Sequence, residues 1–161
     1  TRREERTSGQ IGAAGAAFVG MQRGRERGMQ PKVLVVDDDR QVLELLSTLL
    51  TRAGYAVRTA PGAVEAMEIL ESEDLGAVVL DIMMPVRSGI EVLEHMRWNP
   101  KLAEMPVVIL SAAQLTKEEQ EFVDEFSAGF VDKTRIMDVL THLKTIFATA
   151  ASNAGGVSTG A

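Results

Sequence analysis

The chain has 161 residues, a length typical of one domain, and 45% of them are hydrophobic, which is enough for a packed core. Its net charge of −6 argues against a general nucleic-acid-binding protein, because such proteins carry a basic face. It contains no cysteine, which excludes disulfides and thiolate metal sites, and no stretch approaches the roughly 20 apolar residues that span a bilayer. We therefore expect no direct nucleic-acid binding and no membrane association.

The two ends of the chain differ from its centre. Residues 1–30 show no usable periodicity and are predicted to be a flexible N-terminal extension. Their outline resembles a signal peptide, but the apolar part is rich in Gly and Ala and is followed by further arginines, which favours a disordered extension. Residues 148–161 are mostly small or polar and are predicted to be a flexible tail or linker. The folded domain is therefore predicted at residues 31–147.

Strand and helix patterns alternate five times within this domain. Short apolar runs predict five strands, at residues 32–36, 55–59, 77–80, 107–110 and 129–131. Apolar residues at helical spacing predict a helix after each strand, at about residues 42–50, 64–70, 88–99, 116–126 and 136–147. Gly54 after the first helix is typical of a helix end, and Ser88 before the third is typical of an N-cap.

Five consecutive βα units predict an α/β fold, with helices on both faces of a parallel sheet. At this size the common arrangement is the doubly wound, flavodoxin-like strand order 2-1-3-4-5. Its topological switch point lies between the first and third strands, and ligands of such sheets bind outside the carboxyl ends of the strands.

Acidic residues follow both strands at this switch point. Asp37, Asp38 and Asp39 come directly after the first strand, and Asp81 comes directly after the third. These carboxylates are expected to share one pocket, where they would repel one another unless a cation lay between them. Mg²⁺ is the usual hard cation at such oxygen-rich sites.

Two further polar residues end strands at the same edge. Ser111 follows the fourth strand, and Lys133 comes within two residues of the fifth. A carboxylate can attack a phosphoryl group, while a metal ion, an ammonium and a hydroxyl stabilise its oxygens. Any one of these residues alone would be interpreted as a cap, loop or surface residue. Their combination at one edge indicates phosphoryl chemistry.

These segments resemble the receiver domains of bacterial response regulators, the phosphoaspartate switches of two-component signalling. The resemblance covers about residues 32–147, and it rests on residues 35–39, 80–85 with 88–89, 110–112, and 128–130 with Lys133. It implies the CheY-like version of the predicted fold. Since nothing in the sequence supplies an output domain, a single-domain regulator is expected.

The resemblance implies how the acidic residues act. Asp81 would be the phosphoacceptor. Mg²⁺ would be ligated by Asp37, Asp38 and Asp81, together with the backbone carbonyl of Met83. Asp39 follows these ligands and is expected either to be solvated or to cap the first helix.

The resemblance also assigns the remaining site residues. Ser111 and Lys133 would each bind a phosphoryl oxygen, and Phe130 would turn inward as Ser111 moves toward the phosphate. The family usually has proline after the lysine, often after a cis peptide bond, whereas Thr134 stands here. A non-proline cis bond costs about 3–4 kcal/mol, so a trans bond is expected, and Thr134 could cap the fifth helix.

The resemblance implies a cytoplasmic signalling protein that is not itself an enzyme. A sensor histidine kinase or phosphotransfer protein would donate the phosphoryl group. The face formed by the fourth helix, fifth strand and fifth helix would then change shape and be recognised by a downstream protein target, and a homodimer would also be consistent with such a face.

Two alternatives stay open at this point. A degenerate receiver could serve as a constitutive protein-interaction module, an interpretation that Thr134 favours and the intact acidic set opposes. A phosphatase of the haloacid dehalogenase type would use Asp37 and Asp39 as paired aspartates, but Gln41 departs from that family and the chain has no room for a cap domain.

Overall fold

The computed structural model describes residues 30–112 and 114–154. Within them, five strands alternate with five helices. The strands are β1 (Lys32–Val36), β2 (Ala56–Ala60), β3 (Ala77–Asp81), β4 (Val107–Ser111) and β5 (Gly129–Asp132). The helices are α1 (Arg40–Arg52), α2 (Ala63–Ser72), α3 (Gly89–Trp98), α4 (Lys117–Phe126) and α5 (Asp138–Ala154), with a 3₁₀ turn at Lys133–Arg135. In this part of the chain, no helix combines the length and hydropathy that crossing a bilayer requires.

All five strands pair in parallel in the order β2-β1-β3-β4-β5, which confirms the predicted fold class and topology. β3 and β4 are buried at every residue, as expected for central strands covered on both faces. β2 lies on one side of β1 in the sheet, and β3 lies on the other side. The carboxyl ends of β1 and β3 therefore form the switch point.

Side chains of the central strands alternate between two largely aliphatic clusters, one on each face of the sheet. Leu34, Val78 and Leu80 face α2, α3 and α4, whereas Val33 and Val79 face α1 and α5. Each helix buries one stripe of apolar residues against these strands. This alternation explains why the two central apolar runs are almost uninterrupted in the sequence.

Local side-chain bonds set the helix starts. Asp39 caps α1 by accepting a hydrogen bond from the Gln41 amide at 2.9 Å, as predicted. Ser88 caps α3 in the same way, again as predicted. Thr116 and Glu119 form a reciprocal capping box at α4.

The half-buried Arg97 connects the end of α3 to neighbouring segments. Its guanidinium donates to the Phe126 carbonyl at the end of α4, at 2.9 and 2.7 Å. It also donates to the carbonyls of Ala103 and Met105 at 3.0 Å and of Leu102 at 3.4 Å. A planar fork of donors can satisfy several carbonyls at once, which a lysine ammonium cannot do with the same geometry.

The C-terminal boundary differs from the prediction. α5 continues to Ala154, seven residues beyond residue 147, and Ala150 is completely buried. Alanine has the highest helix propensity, so an Ala-rich segment that resembles a linker can equally extend a helix that already packs on the sheet. Residues 1–29, which hold most of the predicted N-terminal extension, and the end of the predicted tail lie outside the described residues.

Candidate functional site

The carboxyl edge of the sheet brings the predicted site residues together. The register pairs Val36 with Leu80, Asp81 with Leu110, and Ser111 with Asp132. The chain therefore places Asp37 and Asp38 beside Asp81 on one side, and the end of β4 beside it on the other. Lys133 follows the end of β5 directly.

Lys133 lies between two buried carboxylates. Asp37 and Asp81 are 0% and 1% exposed, respectively. The Lys133 ammonium lies 2.7 Å from Asp37 Oδ2 and 3.3 Å from Asp81 Oδ2. Buried carboxylates need such a partner because an unpaired charge in the interior is strongly disfavoured.

Backbone amides hold the other carboxylate oxygens. The Asp39 amide donates to Asp37 Oδ1 at 2.8 Å, and the Met83 amide donates to Asp81 Oδ1 at 3.2 Å. Among the described residues, the Lys133 ammonium is the one polar partner of both Oδ2 atoms. Each buried carboxylate thus keeps one oxygen with unused acceptor capacity.

This arrangement fits a hard divalent cation. Asp37, Asp38 and Asp81 each offer a carboxylate oxygen within 4.8 Å of the others. Two of these residues are buried, whereas Asp38 is exposed and opens the cluster to solvent. Mg²⁺ prefers such oxygen ligands and usually retains several waters, which an open side permits. The Met83 carbonyl stays a predicted ligand, because it is the amide of this residue that contacts Asp81.

The electrostatics of the cluster are unbalanced. Burial, followed by repulsion from Asp37, raises the pKa of Asp81 from 3.8 to about 6, against the opposing effects of Lys133 and the Met83 amide. Burial lowers the pKa of Lys133, but its hydrogen bond to Asp37 and its attraction to both carboxylates outweigh burial and raise that pKa. One ammonium therefore only partly neutralises the two buried carboxylates.

Gly89 positions the backbone of Asp81. A Cβ at Gly89 would overlap the Asp81 carbonyl oxygen, and the Gly89 amide donates to the Ile82 carbonyl at 2.9 Å. The first turn of α3 can therefore pack on this strand end only with glycine at that position. The sequence showed Gly89 within a motif, but only the structure shows that it supports the site.

Val86 adopts a strained conformation in the same loop. Its φ is +70°, and the Arg87 amide donates to the Pro85 carbonyl at 2.8 Å across it, which makes a γ-turn. Positive φ is rare for a β-branched residue, and this valine is 97% exposed. No local sequence pattern predicts this turn.

Ser111 and Phe130 differ in burial. Ser111 is completely buried at the end of β4, next to the strand that carries Asp81. Phe130 is 36% exposed in β5, so its ring is only partly covered. Their predicted parts in a switch stay predictions.

The segment around Lys133 differs in part from the expectation. The described residues contain no cis peptide bond, so the bond between Lys133 and Thr134 is trans, as expected. The idea that Thr134 caps α5 is wrong, because Thr134 lies in the 3₁₀ turn and α5 begins at Asp138. Asp132 caps that turn instead, accepting hydrogen bonds from Thr134 N at 2.8 Å and Oγ1 at 2.7 Å. These two hydrogen bonds lower the pKa of Asp132, and the bond from the Thr134 amide has the larger effect.

Comparison with known protein families identifies the family of this domain. The model of the response regulator receiver domain matches residues 33–145, which is most of the chain. The chain belongs to this family. Receiver domains are signalling modules of two-component systems, and the acidic cluster at the switch point fits their phosphoacceptor site.

Curated relatives of this receiver domain are themselves response regulators. MprA of Mycobacterium ulcerans is 35% identical over 112 residues, which cover 70% of this chain and 47% of that protein. The uncharacterized transcriptional regulatory protein YrkP of Bacillus subtilis is 40% identical over 93 residues, which cover 58% of this chain and 38% of that protein. The chain thus spans about half the length of these relatives or less.

Solved receiver structures share the fold. The chemotaxis protein CheY4 of Vibrio cholerae is 25% identical, with a TM-score of 0.66 and coverage of 73% of this chain and 98% of that one. The response regulator TrrA of Thermotoga maritima, solved in complex with Mg²⁺ and BeF, is 30% identical, with a TM-score of 0.63 and coverage of 72% and 98%.

Proposed function

We propose that this receiver domain accepts a phosphoryl group on Asp81 from the phosphohistidine of a sensor histidine kinase or phosphotransfer protein. The observation that carries the proposal is the position of Asp81. It lies on the central strand β3, between the Asp37 and Asp38 pair on one side and Ser111 at the end of β4 on the other. A nucleophile there would have metal ligands on one side and a phosphate-binding hydroxyl on the other.

The local contacts also favour Asp81 over Asp37 as the nucleophile. Lys133 lies closer to Asp37 Oδ2 than to Asp81 Oδ2, at 2.7 against 3.3 Å. The pKa of Asp81 is raised from 3.8 to about 6, so its carboxylate is more basic than that of an ordinary aspartate. Basicity and looser pairing both favour attack on phosphorus.

The transfer forms one bond and breaks one bond. A carboxylate oxygen of Asp81 bonds to phosphorus as the P–N bond of phosphohistidine breaks, and the donor imidazole keeps the electron pair of that bond. When bound by Asp37, Asp38, Asp81 and the Met83 carbonyl, Mg²⁺ would neutralise charge on the phosphoryl oxygens. Lys133 would pair with one of those oxygens, and the Ser111 hydroxyl would donate a hydrogen bond to another.

The phosphoryl group would then act as a local electrostatic switch. It adds negative charge beside β4, which would draw Ser111 toward it and let Phe130 turn inward from its half-exposed position. The affected face is formed by α4, β5 and α5. A downstream protein target, or a second copy of the domain, would bind this face in its altered shape, in the cytoplasm of a bacterium.

Phosphate uptake tests this function directly. Wild-type protein, Asp81→Asn and Asp37→Asn are incubated with acetyl phosphate and Mg²⁺, and their intact masses are compared. We expect one added phosphate on the wild type, none on Asp81→Asn, and none when Mg²⁺ is replaced by a chelator. A wild type that stays unmodified would indicate a constitutive interaction module. Phosphate on Asp37 would indicate the phosphatase, although Asp39, its required partner, is engaged in capping α1.

A further inference from the structure

Lys133 is held at the site through its two chain neighbours. Asp132 is the last residue of β5 and pairs in register with Ser111, so the sheet fixes its position. Its carboxylate then reaches over Lys133 to accept hydrogen bonds from both the amide and the hydroxyl of Thr134. Lys133 is the residue between the two that these hydrogen bonds join.

These contacts restrain the backbone from which the lysine side chain departs. When an aspartate oxygen accepts hydrogen bonds from the residue two positions later, the backbone forms an Asx-type turn. This turn restricts the conformations of the residue between them, which here is Lys133. The proline that the family usually carries after the lysine fixes its own φ but has no amide to donate. The pairing of Asp132 with Thr134 restrains the same segment by a different chemical means.

We propose that Asp132 and Thr134 are positioning residues that hold Lys133 for its contact with the phosphoryl group. The inference rests on the proposed function for its role in transfer. Asp132 and Thr134 bond to each other and not to the buried carboxylates. They act through Lys133, whose ammonium lies 2.7 Å from Asp37 and 3.3 Å from Asp81. The acceptor atom of Asp132, and not its negative charge, is the feature that matters.

Three substitutions separate these features. Asp132→Ala removes the acceptor, Asp132→Asn keeps an acceptor without the charge, and Thr134→Val removes the hydroxyl but keeps the amide and the side-chain shape. Glu94→Ala removes an exposed carboxylate from α3 and serves as the matched charge control. Initial rates of phosphate uptake from acetyl phosphate at saturating Mg²⁺ are measured by intact mass.

We expect Asp132→Ala to slow uptake about fivefold. This factor corresponds to the roughly 1 kcal/mol of stability that loss of a capping acceptor usually costs. Thr134→Val should give a smaller decrease, and Asp132→Asn and Glu94→Ala should each stay within about twofold of the wild type. The decisive comparison uses the Lys133→Ala background, where Asp132→Ala should have almost no further effect, because a positioning residue has nothing left to position.

Several results would overturn the inference. One is an unchanged rate for Asp132→Ala, and another is a fivefold loss that persists without Lys133. Faster uptake by both Asp132 variants would mean that the charge merely repels the donor.

A second readout does not depend on phosphate. In Mg²⁺-free urea unfolding, the losses of stability from Asp132→Ala and Lys133→Ala should be non-additive, whereas additive losses would contradict the positioning role. If the wild type takes up no phosphate, the proposed function fails and this unfolding cycle alone decides the inference.

Discussion

Replacing Asp81 by Asn should stabilise the metal-free domain at neutral pH. The folded carboxyl has a pKa of about 6, against a reference value of 3.8 in the unfolded chain. Between these values the folded state binds more protons than the unfolded state, so stability falls as pH rises through this window. Above about pH 6 the full penalty for the ionised, buried carboxylate is present.

The magnitude follows from the size of the pKa shift. The difference between 3.8 and about 6, at 1.36 kcal/mol per pKa unit, gives about 3 kcal/mol. Asp81 is only 1% exposed, so solvent screening does not reduce this value much. The shift already includes the favourable effect of Lys133, which the variant also loses. We therefore expect Asp81→Asn to unfold with a free energy about 3 kcal/mol larger than the wild type at about pH 7.5.

Urea unfolding followed by far-ultraviolet circular dichroism, in the presence of a chelator, measures this difference. At about pH 3.5 the carboxyl is protonated in the folded state and mostly protonated in the unfolded state, so the advantage of Asp81→Asn should largely disappear. Asp38→Asn is the matched control, because Asp38 belongs to the same cluster but is exposed, and its effect should be much smaller. Mg²⁺ should stabilise the wild type more than Asp81→Asn.

Two results would refute this reasoning. An Asp81→Asn variant no more stable than the wild type at neutral pH would show that Asp81 carries no net electrostatic penalty. An advantage of equal size at about pH 3.5 would show that the gain comes from packing or hydrogen bonding instead of charge.

Three other substitutions test contacts near the site. Gly89→Ala should destabilise the fold by about 1–3 kcal/mol in urea unfolding, because its methyl group must displace the Asp81 carbonyl; a stability equal to the wild type would contradict the close approach. Arg97→Lys should lower stability by about 2–4 kcal/mol in calorimetry, since a lysine cannot satisfy the same set of carbonyls; an unchanged melting temperature would show that these bonds contribute little. Lys133→Ala should destabilise the Mg²⁺-free protein, and saturating Mg²⁺ should recover part of the loss; a loss that Mg²⁺ leaves unchanged would argue against a shared electrostatic role.

The sequence predicted the parts of the fold that depend on periodic burial. The apolar runs of β1 and β3 are buried on both faces, and the helices repeat apolar residues at helical spacing, so both patterns survive in the linear order. The aspartates could be placed at one edge because strand direction and order fix where strands end.

Other features depend on contacts that no local pattern records. The end of α5 was missed because Ala-rich residues suit a linker and a helix equally well, and only the burial of Ala150 decides between them. Thr134 was misplaced because Thr is a common N-cap, while the competing acceptor, Asp132, lies on the other side of Lys133. Gly89 could not be interpreted without the path of the Asp81 backbone.

Because Lys133 lies between the two buried aspartates, folding of the domain does not require a bound divalent ion. Many small metal-dependent domains are unfolded until their ion arrives, because nothing else offsets the charges of their ligands. Here Lys133 provides a resident counter-ion, so the domain can be fully assembled before any divalent ion enters. The concentration of free Mg²⁺ would then set how ready the domain is to react, without deciding whether it exists as a folded protein.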